Sequence, residues 1–557
     1  MTRKLLFLFT ILPSMLLAQH TIKGTFTPPE EFKFVFLYRV TAETSVFINN
    51  ANINEDGSFE ITMDKKQKPG TYRIVYAQPQ DEYNFDLLYN GKEDIVLEFD
   101  LKKGVTFIES SQNKLLTSYN KSMSMVGSSI NNYYSKNTKD EDGFNSVFKI
   151  LSETQDEFEK ATKGTLAYNF IKAGRPYIPN KYEDVLTFSK HVKENYFAPI
   201  DFDNETLQNS NFLIETTLNY VFGFSNPDSG NKDFKNNIDD VAKASKDNPK
   251  IQKILLEVLW DQFAQEENEA VANHIATKYL IQLANNTNDA PLSERITYFK
   301  NASIGSTGFD FEIEITNTKG KTISKLLSEL DTANNYLIFF WSTTCSHCLD
   351  EIPKLKSYTT GIDKEQLQVI AIALDNDLYR WKNMTYDYPG FLHVFGEGKW
   401  DNVIGNNYNV SATPNYFILD KDKKIIEKPY DFEAFKIDFE KLSAPPKKEY
   451  LLTSDNLIGS WTDSREEGSL NPNGLVFRPT DYKTFPPSRF RFKMELAKDG
   501  TCKYLNLSPT DRHAMVDGIW NYEAESKTLV LMTTKGKVIK SYTISKADNA
   551  LLLLSEI

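Results

Sequence analysis

Cysteine is nearly absent from this 557-residue chain, which contains only Cys345, Cys348 and Cys502. Three cysteines are too few for the disulfide framework that stabilises many exported domains, so the sequence excludes a disulfide-rich scaffold. Cys345 and Cys348 form a Cys-x-x-Cys pair, a spacing typical of thiol–disulfide exchange or of metal binding. We expect Cys502, in the alternating segment 501–505, to be a small buried apolar side chain; the alternative is an additional redox partner.

Histidine is also scarce, with six in the chain. A zinc ion at the Cys-x-x-Cys pair would need two further ligands. Five histidines lie outside the pair and show no ligand spacing: His20, His191, His274, His393 and His513. The sequence also lacks a phosphate-binding loop, a serine-hydrolase elbow and a His-Glu-x-x-His motif. We therefore predict neither a metal site nor a bound cofactor.

The chain also has no excess of positive charge, and its formal net charge is −12 at pH 7. Binding to nucleic acid or to an anionic membrane surface depends on Lys and Arg, so the sequence disfavours both partners.

Long apolar runs are absent beyond the N-terminal residues, so no later segment is predicted to span a membrane. Residues 1–18 combine Arg3 and Lys4 with an apolar core at 5–17 and end in Ala18, the pattern of a secretory signal peptide. We expect cleavage near Ala18 and a soluble protein outside the cytoplasm. An uncleaved membrane anchor is the alternative.

The length of the chain implies several domains, because single cores rarely extend beyond about 300 residues. Turn pairs such as Asp56-Gly57 separate short aromatic-rich runs near the N-terminus and predict strands. Helical periodicity follows and is clearest over 251–263. The predicted parts are a signal peptide at 1–18, a β-sandwich at 19–108, an α-helical domain at 109–300, an α/β domain at 301–442, a linker at 443–449 and a small antiparallel β domain at 450–557.

The α/β domain is organised around residues 336–356. The apolar run 336–341 predicts a strand buried on both faces, and the apolar spacing after Cys345 predicts a helix. The order of the elements, βαβ followed by ββα, predicts a mixed sheet covered on both faces. The other predicted elements are strands at 367–374, 415–419 and 424–427 and a helix at 431–442.

The start of the helix is a favourable position for a reactive thiol. Free backbone N–H groups and the helix dipole stabilise a thiolate at Cys345, which would attack a partner disulfide. Cys348, one turn later and more buried, would resolve the mixed disulfide. An imidazole at His347 would favour the thiolate and raise the reduction potential; the alternative is that His347 points into solvent.

These motifs resemble a known fold and family. FWSTTCSHC at 340–348, Pro353 and Ala412-Thr413-Pro414 together resemble a thioredoxin-fold domain, and closer still the TlpA/ResA group of exported bacterial thiol–disulfide oxidoreductases. The resemblance covers about 140 residues.

The resemblance implies roles for individual residues. It implies that Pro414 is cis and faces the cysteine pair, and that the backbone of Thr413 pairs with the bound substrate chain. It also implies that Glu351 accepts a proton from Cys348; the alternative is an exposed acid in the first helical turn. We also assign Trp341 to substrate binding.

Two departures from the family leave the direction of electron flow open. Thioredoxin has a buried Asp where this chain has Phe339. Reductive members commonly have Cys-x-Pro-Cys, whereas this chain has Ser346 and His347 between the cysteines. That sequence is more similar to the Cys-Pro-His-Cys and Cys-Gly-His-Cys motifs of oxidases and isomerases. The flanks resemble companions of TlpA-like modules at 19–108 and 191–207, and lipocalin-like domains at 457–461, 499–501 and 518–520.

The resemblance implies a periplasmic thiol–disulfide oxidoreductase that acts on protein thiols and disulfides, and we favour the reductive direction. It also implies an upstream electron-donor thiol protein at the inner membrane. One alternative is a disulfide isomerase or oxidase that uses the same pair. Another is a ligand- or partner-binding scaffold with a vestigial redox site.

Overall fold

The computed structural model describes residues 20–136, 139–226, 229–316, 320–443, 452–471, 474–487, 491–506 and 514–557. The predicted signal peptide at 1–18, nearly all of the predicted linker at 443–449 and His513 lie outside these residues. The chain divides into two compact units between Lys441 and Leu442. The finer domain boundaries stay predictions. Within the described part of the chain, no helix is long and apolar enough to cross a membrane.

The N-terminal domain is β-rich, as predicted. Its strands form two four-stranded sheets, of order β4-β1-β7-β8 and β3-β2-β5-β6. Alternate residues such as Ile22, Phe26 and Leu37 fill a shared core, the pattern of two facing sheets. The strands are β1 Thr21–Thr27, β2 Phe34–Val40, β3 Ser45–Asn52, β4 Ser58–Thr62, β5 Gly70–Val75, β6 Asn84–Tyr89, β7 Ile95–Asp100 and β8 Gly104–Glu109.

The helical domain follows, also as predicted. The side chain of Asn248 caps one helix by accepting a hydrogen bond from Ile251 N at 3.1 Å, and Pro249 occupies the first turn. The sequence analysis did not predict α3 and α7. The helices are α1 Ser111–Ser135, α2 Glu141–Thr162, α3 Leu166–Ala173, α4 Val185–Glu194, α5 Glu205–Gln208, α6 Phe212–Gly223, α7 Asn231–Ala244, α8 Pro249–Gln265, α9 Glu269–Ile275, α10 Ile281–Asn286 and α11 Ala290–Asn301.

Polar contacts join the helical domain to its neighbours on both sides. The side chain of Asn113 on α1 bonds both the N–H and the carbonyl of Leu88 on β6, each at 2.8 Å. Because β6 is an edge strand, Asn113 satisfies backbone groups that the sheet leaves unpaired. On the other side, Lys428 pairs with Glu269 at 2.6 Å. These contacts attach the α/β domain and the sandwich to the helices within the first unit.

The α/β domain contains the predicted mixed sheet, of order β13-β12-β11-β14-β15, with β11, β12 and β13 parallel. β11 is central and buried, and its alternate residues fill two different cores on the opposite faces. The sequence analysis did not predict β9, β10, β13, α13 or α14. The elements are β9 Glu312–Thr316, β10 Thr322–Leu326, β11 Asn335–Trp341, α12 Ser346–Thr359, β12 Leu367–Asp375, α13 Leu378–Thr385, β13 Leu392–Glu397, α14 Val403–Asn407, β14 Asn415–Asp420, β15 Ile425–Glu427 and α15 Phe432–Ser443.

The second unit confirms the predicted antiparallel strands and adds their closure. The sequence predicts a small antiparallel β domain; the strands are antiparallel but close into an eight-stranded barrel. Closure arises because β16 pairs with both β17 and β18, while β17 also pairs with β23. The strands are β16 Gly459–Asp463, β17 Leu475–Pro479, β18 Lys493–Leu496, β19 Thr501–Asn506, β20 Ala514–Glu523, β21 Thr528–Thr533, β22 Val538–Asp548 and β23 Leu551–Glu556.

Candidate active site

The cysteine pair lies where the central strand β11 turns into α12. Cys345 is the residue that caps α12, and its Sγ accepts a hydrogen bond from the backbone N–H of Cys348 at 3.2 Å. Cys345 is half-buried, whereas Cys348 is fully buried beneath it. The two sulfurs are joined as a disulfide, with Cα atoms 5.3 Å apart. Cys345 is thus the more exposed of the two cysteines, and its sulfur accepts an N–H from the first turn of the helix. Cys348 is the protected cysteine, and its sulfur is within bonding reach of Cys345.

The loop before β14 lies beside the sulfur of Cys345. The Thr413–Pro414 peptide is cis. The carbonyl oxygen of Thr413 lies 3.3 Å from Sγ of Cys345. Thr413 as a whole is half-buried. The structure therefore brings together Cys345, Cys348 and Thr413-Pro414, although their roles in a reaction stay predictions.

Glu351 is half-buried on α12, three residues after Cys348 and on the same helix face. Its Oε2 accepts a hydrogen bond from the hydroxyl of Tyr416 at 2.5 Å. Burial, and then this bond, raise the pKa of Tyr416 well above its usual range. Tyr416 therefore stays a hydrogen-bond donor at any physiological pH. Proton transfer from Cys348 to Glu351 stays a prediction.

Two other predicted residues differ in their exposure. His347 is exposed on the first turn of α12. Trp341 is 0% exposed and packs in the core beneath the helix, beside residues such as Phe339. A substrate chain cannot touch a side chain without exposed surface, so the placement of Trp341 gives no support to its assignment to substrate binding.

Sequence analysis missed Asp375, the last residue of β12. Asp375 is 2% exposed and accepts hydrogen bonds from Thr343 and Ser342, in the turn before Cys345. The available signal was a single acid at the end of the apolar run 369–374. Tyr416 was also missed, because its contact with Glu351 joins residues 65 positions apart.

The described residues contain no group of three or more His, Cys, Asp or Glu side chains that could hold a metal ion.

Comparisons with known proteins agree with this geometry. Residues 334–425 match a family model described as thioredoxin-like. The chain is 30% identical over 114 residues to the thiol–disulfide oxidoreductase ResA of a Bacillus cereus strain, and 29% identical over 113 residues to ResA of Bacillus thuringiensis (strain Al Hakam). The matches cover 20% of this chain and 63% and 62% of those proteins. The chain thus spans less than two thirds of the length of these relatives.

Among solved structures, a thioredoxin-like protein from Bacteroides caccae ATCC 43185 covers 48% of this chain and 96% of its own, with 17% identity and a TM-score of 0.31. Residues 334–425 are thus thioredoxin-like by the family match, and this part of the chain is similar to the thiol–disulfide oxidoreductase ResA of the two Bacillus strains.

Proposed function

We propose that this protein is a thiol–disulfide oxidoreductase that exchanges electrons with protein disulfides through Cys345 and Cys348. The observation that carries the proposal is the capping of α12 by Cys345. One side of its sulfur receives the N–H of Cys348, and the other faces the carbonyl of Thr413. A backbone donor at 3.2 Å stabilises a thiolate, the form of cysteine that attacks disulfides.

In the first step, the thiolate of Cys345 attacks one sulfur of a substrate disulfide. A new bond forms between Cys345 and that sulfur, the substrate S–S bond breaks, and the other substrate sulfur leaves as a thiolate. The half-buried position of Cys345 supports its role as the attacking sulfur, since Cys348 is fully buried. The backbone of Thr413 would hold the substrate chain in an extended conformation beside the sulfur.

In the second step, Cys348 loses its proton and attacks Sγ of Cys345. The mixed disulfide breaks, the second substrate thiolate leaves, and Cys345 and Cys348 become a disulfide. Two electrons pass from the pair to the substrate. Glu351 would take the proton of Cys348, because helical side chains lean towards the N-terminus and Glu351 follows Cys348 by one turn. A separate dithiol protein would reduce the pair for the next cycle.

The reductive direction is our preference, and it rests on the resemblance to the TlpA/ResA group. The observation that favours the opposite direction is Ser346-His347 between the cysteines, because a nearby imidazole favours the reduced pair. Export to the periplasm, with an electron donor at the inner membrane, belongs to the same proposal. It is supported by Arg3, Lys4 and the apolar segment 5–17.

Trapping of mixed disulfides tests the proposal. Cys348→Ser removes the resolving sulfur, so substrates should remain covalently bound to Cys345 and should be released by a reductant. The matched control is Cys345→Ser, which keeps Cys348 but removes the attacking sulfur and should trap nothing. Equal yields of disulfide-linked protein from the two variants would contradict the proposal.

A second candidate is a ligand- or partner-binding scaffold with a vestigial redox site. The observation that favours it is a mainly apolar cavity of about 430 Å³ in the helical domain, lined by residues that include Met123, Phe188 and Phe212. An insulin-reduction assay separates the candidates. Reduction of insulin by wild-type protein and its loss in Cys345→Ser would support the oxidoreductase, whereas an inactive wild-type protein would favour the scaffold.

A further inference from the structure

Asp375 is a buried acid bonded to the turn that precedes the reactive cysteine. Its Oδ2 accepts hydrogen bonds from Thr343 N at 2.8 Å, from Thr343 Oγ1 at 2.6 Å and from Ser342 Oγ at 3.2 Å. Its Oδ1 accepts a fourth from the N–H of Asn376 at 3.0 Å. Three of the four donors come from the segment between β11 and Cys345. The carboxylate therefore connects the end of β12 to this turn.

The side chain of Asp375 carries a negative charge although it is only 2% exposed. Burial by itself would raise its pKa, but the hydrogen bonds from Thr343, Asn376 and Ser342 outweigh burial and hold the pKa below its usual range. An unpaired carboxylate in such a place would be strongly destabilising. The ionised side chain of Asp375 thus depends on the hydrogen-bond donors of the turn, and the turn depends on this carboxylate as its acceptor.

The same turn positions the sulfur of Cys345. The N–H of Cys345 donates to the carbonyl of Ser342 at 3.2 Å, so an anchored Ser342 also places Cys345. Thr343 is 0% exposed and is held by two bonds to Asp375, one from its backbone and one from its hydroxyl. Movement of this turn would shift Sγ relative to the N–H of Cys348.

We propose that Asp375 is a positioning residue of the redox site, which holds the turn of Ser342 and Thr343 under Cys345 and opposes ionisation of Cys345 through its own negative charge. This inference rests on the proposed function. The negative charge of Asp375, bonded to the turn that places Cys345, disfavours a second negative charge on the sulfur of Cys345. A thiolate that is harder to form makes the dithiol less stable relative to the disulfide, and so makes the pair more reducing.

Other charged groups belong to the elements that meet at this edge, and the test must separate Asp375 from them. They are all exposed or half-buried, in contrast to Asp375: His347, Asp350 and Glu351 on α12, Glu397 at the end of β13, and Asp377 and Lys399 on the loops after β12 and β13.

The main test is Asp375→Asn in the full-length protein. An asparagine oxygen in the place of Oδ2 can still accept hydrogen bonds from the turn, whereas its NH2 group cannot accept the bond that Asn376 donates to Oδ1. The change therefore removes the charge while it preserves most of the anchor. We expect alkylation of Cys345 by iodoacetamide at pH 7 to become about threefold faster, with a lower pH midpoint. The equilibrium with glutathione should shift about threefold towards the dithiol.

Asp377→Asn is the matched control. Asp377 lies two residues further on, is exposed, and caps α13 by accepting a bond from Arg380 N at 2.9 Å. It has the same charge but lacks contact with the turn, so both measurements should equal those of wild-type protein. Equal values for wild type, Asp375→Asn and Asp377→Asn would overturn the inference.

A second pair of variants keeps the inference testable if Asp375→Asn does not fold. Thr343→Val removes the hydroxyl that donates a hydrogen bond to Asp375. The negative charge of Asp375 remains and is stabilised by one hydrogen bond fewer. Alkylation of Cys345 should therefore slow, opposite in sign to Asp375→Asn, and Thr343→Ser should restore the wild-type rate. An alkylation rate for Thr343→Val equal to or above that of wild-type protein would contradict a role for the charge, whether or not Asp375→Asn folds.

Failure of this inference differs from failure of the proposed function. Both measurements use the cysteine pair alone and need no protein substrate. If glutathione buffers can neither reduce nor reoxidise the wild-type pair, the proposed function is contradicted. If the pair is redox-active but insensitive to Asp375→Asn, only the role of Asp375 is contradicted.

Discussion

Cys345 and Cys502 place the same side chain in two opposite environments. Cys345 caps α12, is half-buried, and has a backbone N–H 3.2 Å from its sulfur. Cys502 is a free cysteine on β19 of the barrel, 4% exposed, and burial raises its pKa to about 11. One environment stabilises a thiolate and the other opposes it. Reactivity therefore follows from the surroundings of the sulfur and not from the residue type.

The largest expected effect comes from replacing each sulfur in turn. Cys345→Ser should abolish disulfide exchange, because no other accessible thiolate can start the reaction. Cys502→Ser should leave exchange unchanged. Insulin reduction measures the exchange activity of both variants. Loss of activity in Cys502→Ser would contradict the contrast between the two cysteines, because it would give the barrel cysteine a redox role.

The next effect is a difference in pH dependence. For Cys502, a pKa raised from 9.0 to about 11 lowers the thiolate fraction at pH 8 about 100-fold. In the reduced folded protein, iodoacetamide at pH 8 should thus modify Cys345 at least about 100 times faster than Cys502. Reaction of Cys502 should increase only as the pH rises towards 11, since its neutral form is the stable one below that value.

Peptide mass spectrometry after timed alkylation measures the two rates separately. In urea the difference should disappear, because unfolding exposes both thiols to water. Comparable rates in the folded protein would show that the barrel does not protect Cys502.

A smaller effect should come from the partner of Glu351. Tyr416→Phe removes the hydroxyl that holds Oε2, so proton transfer from Cys348 should slow and the mixed disulfide should resolve several-fold more slowly. Tyr408→Phe is the control, because Tyr408 is a buried tyrosine of the same domain that bonds Phe309 O at 3.4 Å. Quenched-flow measurement of substrate release gives the rates, and equal rates for both variants would contradict a role for Tyr416.

The smallest effect should be a change in stability without a change in chemistry. Cys502→Ser places a hydroxyl in the apolar barrel core and should lower the free energy of unfolding of the barrel by about 1–2 kcal/mol. Cys502→Ala should cost less, because it buries no polar group. Urea unfolding followed by tryptophan fluorescence compares the two variants; a serine variant as stable as wild type would indicate that Cys502 is hydrated.

The local part of the site could be predicted from sequence. The apolar run that became β11, the helix after Cys345 and the spacing of the cysteines are all contiguous signals. The resemblance added the loop at Thr413-Pro414, which the structure places beside Cys345. Trp341 shows the limit of such reasoning, because a residue next to the motif in sequence lies with its side chain in the core.

Contacts between distant residues could not be predicted. Asp375 meets Thr343 across 32 positions, and Tyr416 meets Glu351 across 65. Closure of the barrel has the same origin, since it depends on pairing between β17 and β23. The helix α7 was missed for another reason: its apolar stripe of Phe234, Ile238, Val241 and Ala242 is short and lies within a strongly polar segment.

The reduction potential of the Cys345–Cys348 pair tests the central claim most directly. The pair would be equilibrated with glutathione buffers of known ratio and the dithiol fraction measured by mass spectrometry. We predict a single two-electron transition on the reducing side, nearer to the value of about −270 mV for thioredoxin than to the value of about −120 mV for a strong oxidant. A value near −120 mV would contradict the reductive direction, and the absence of any transition would contradict the proposed activity itself.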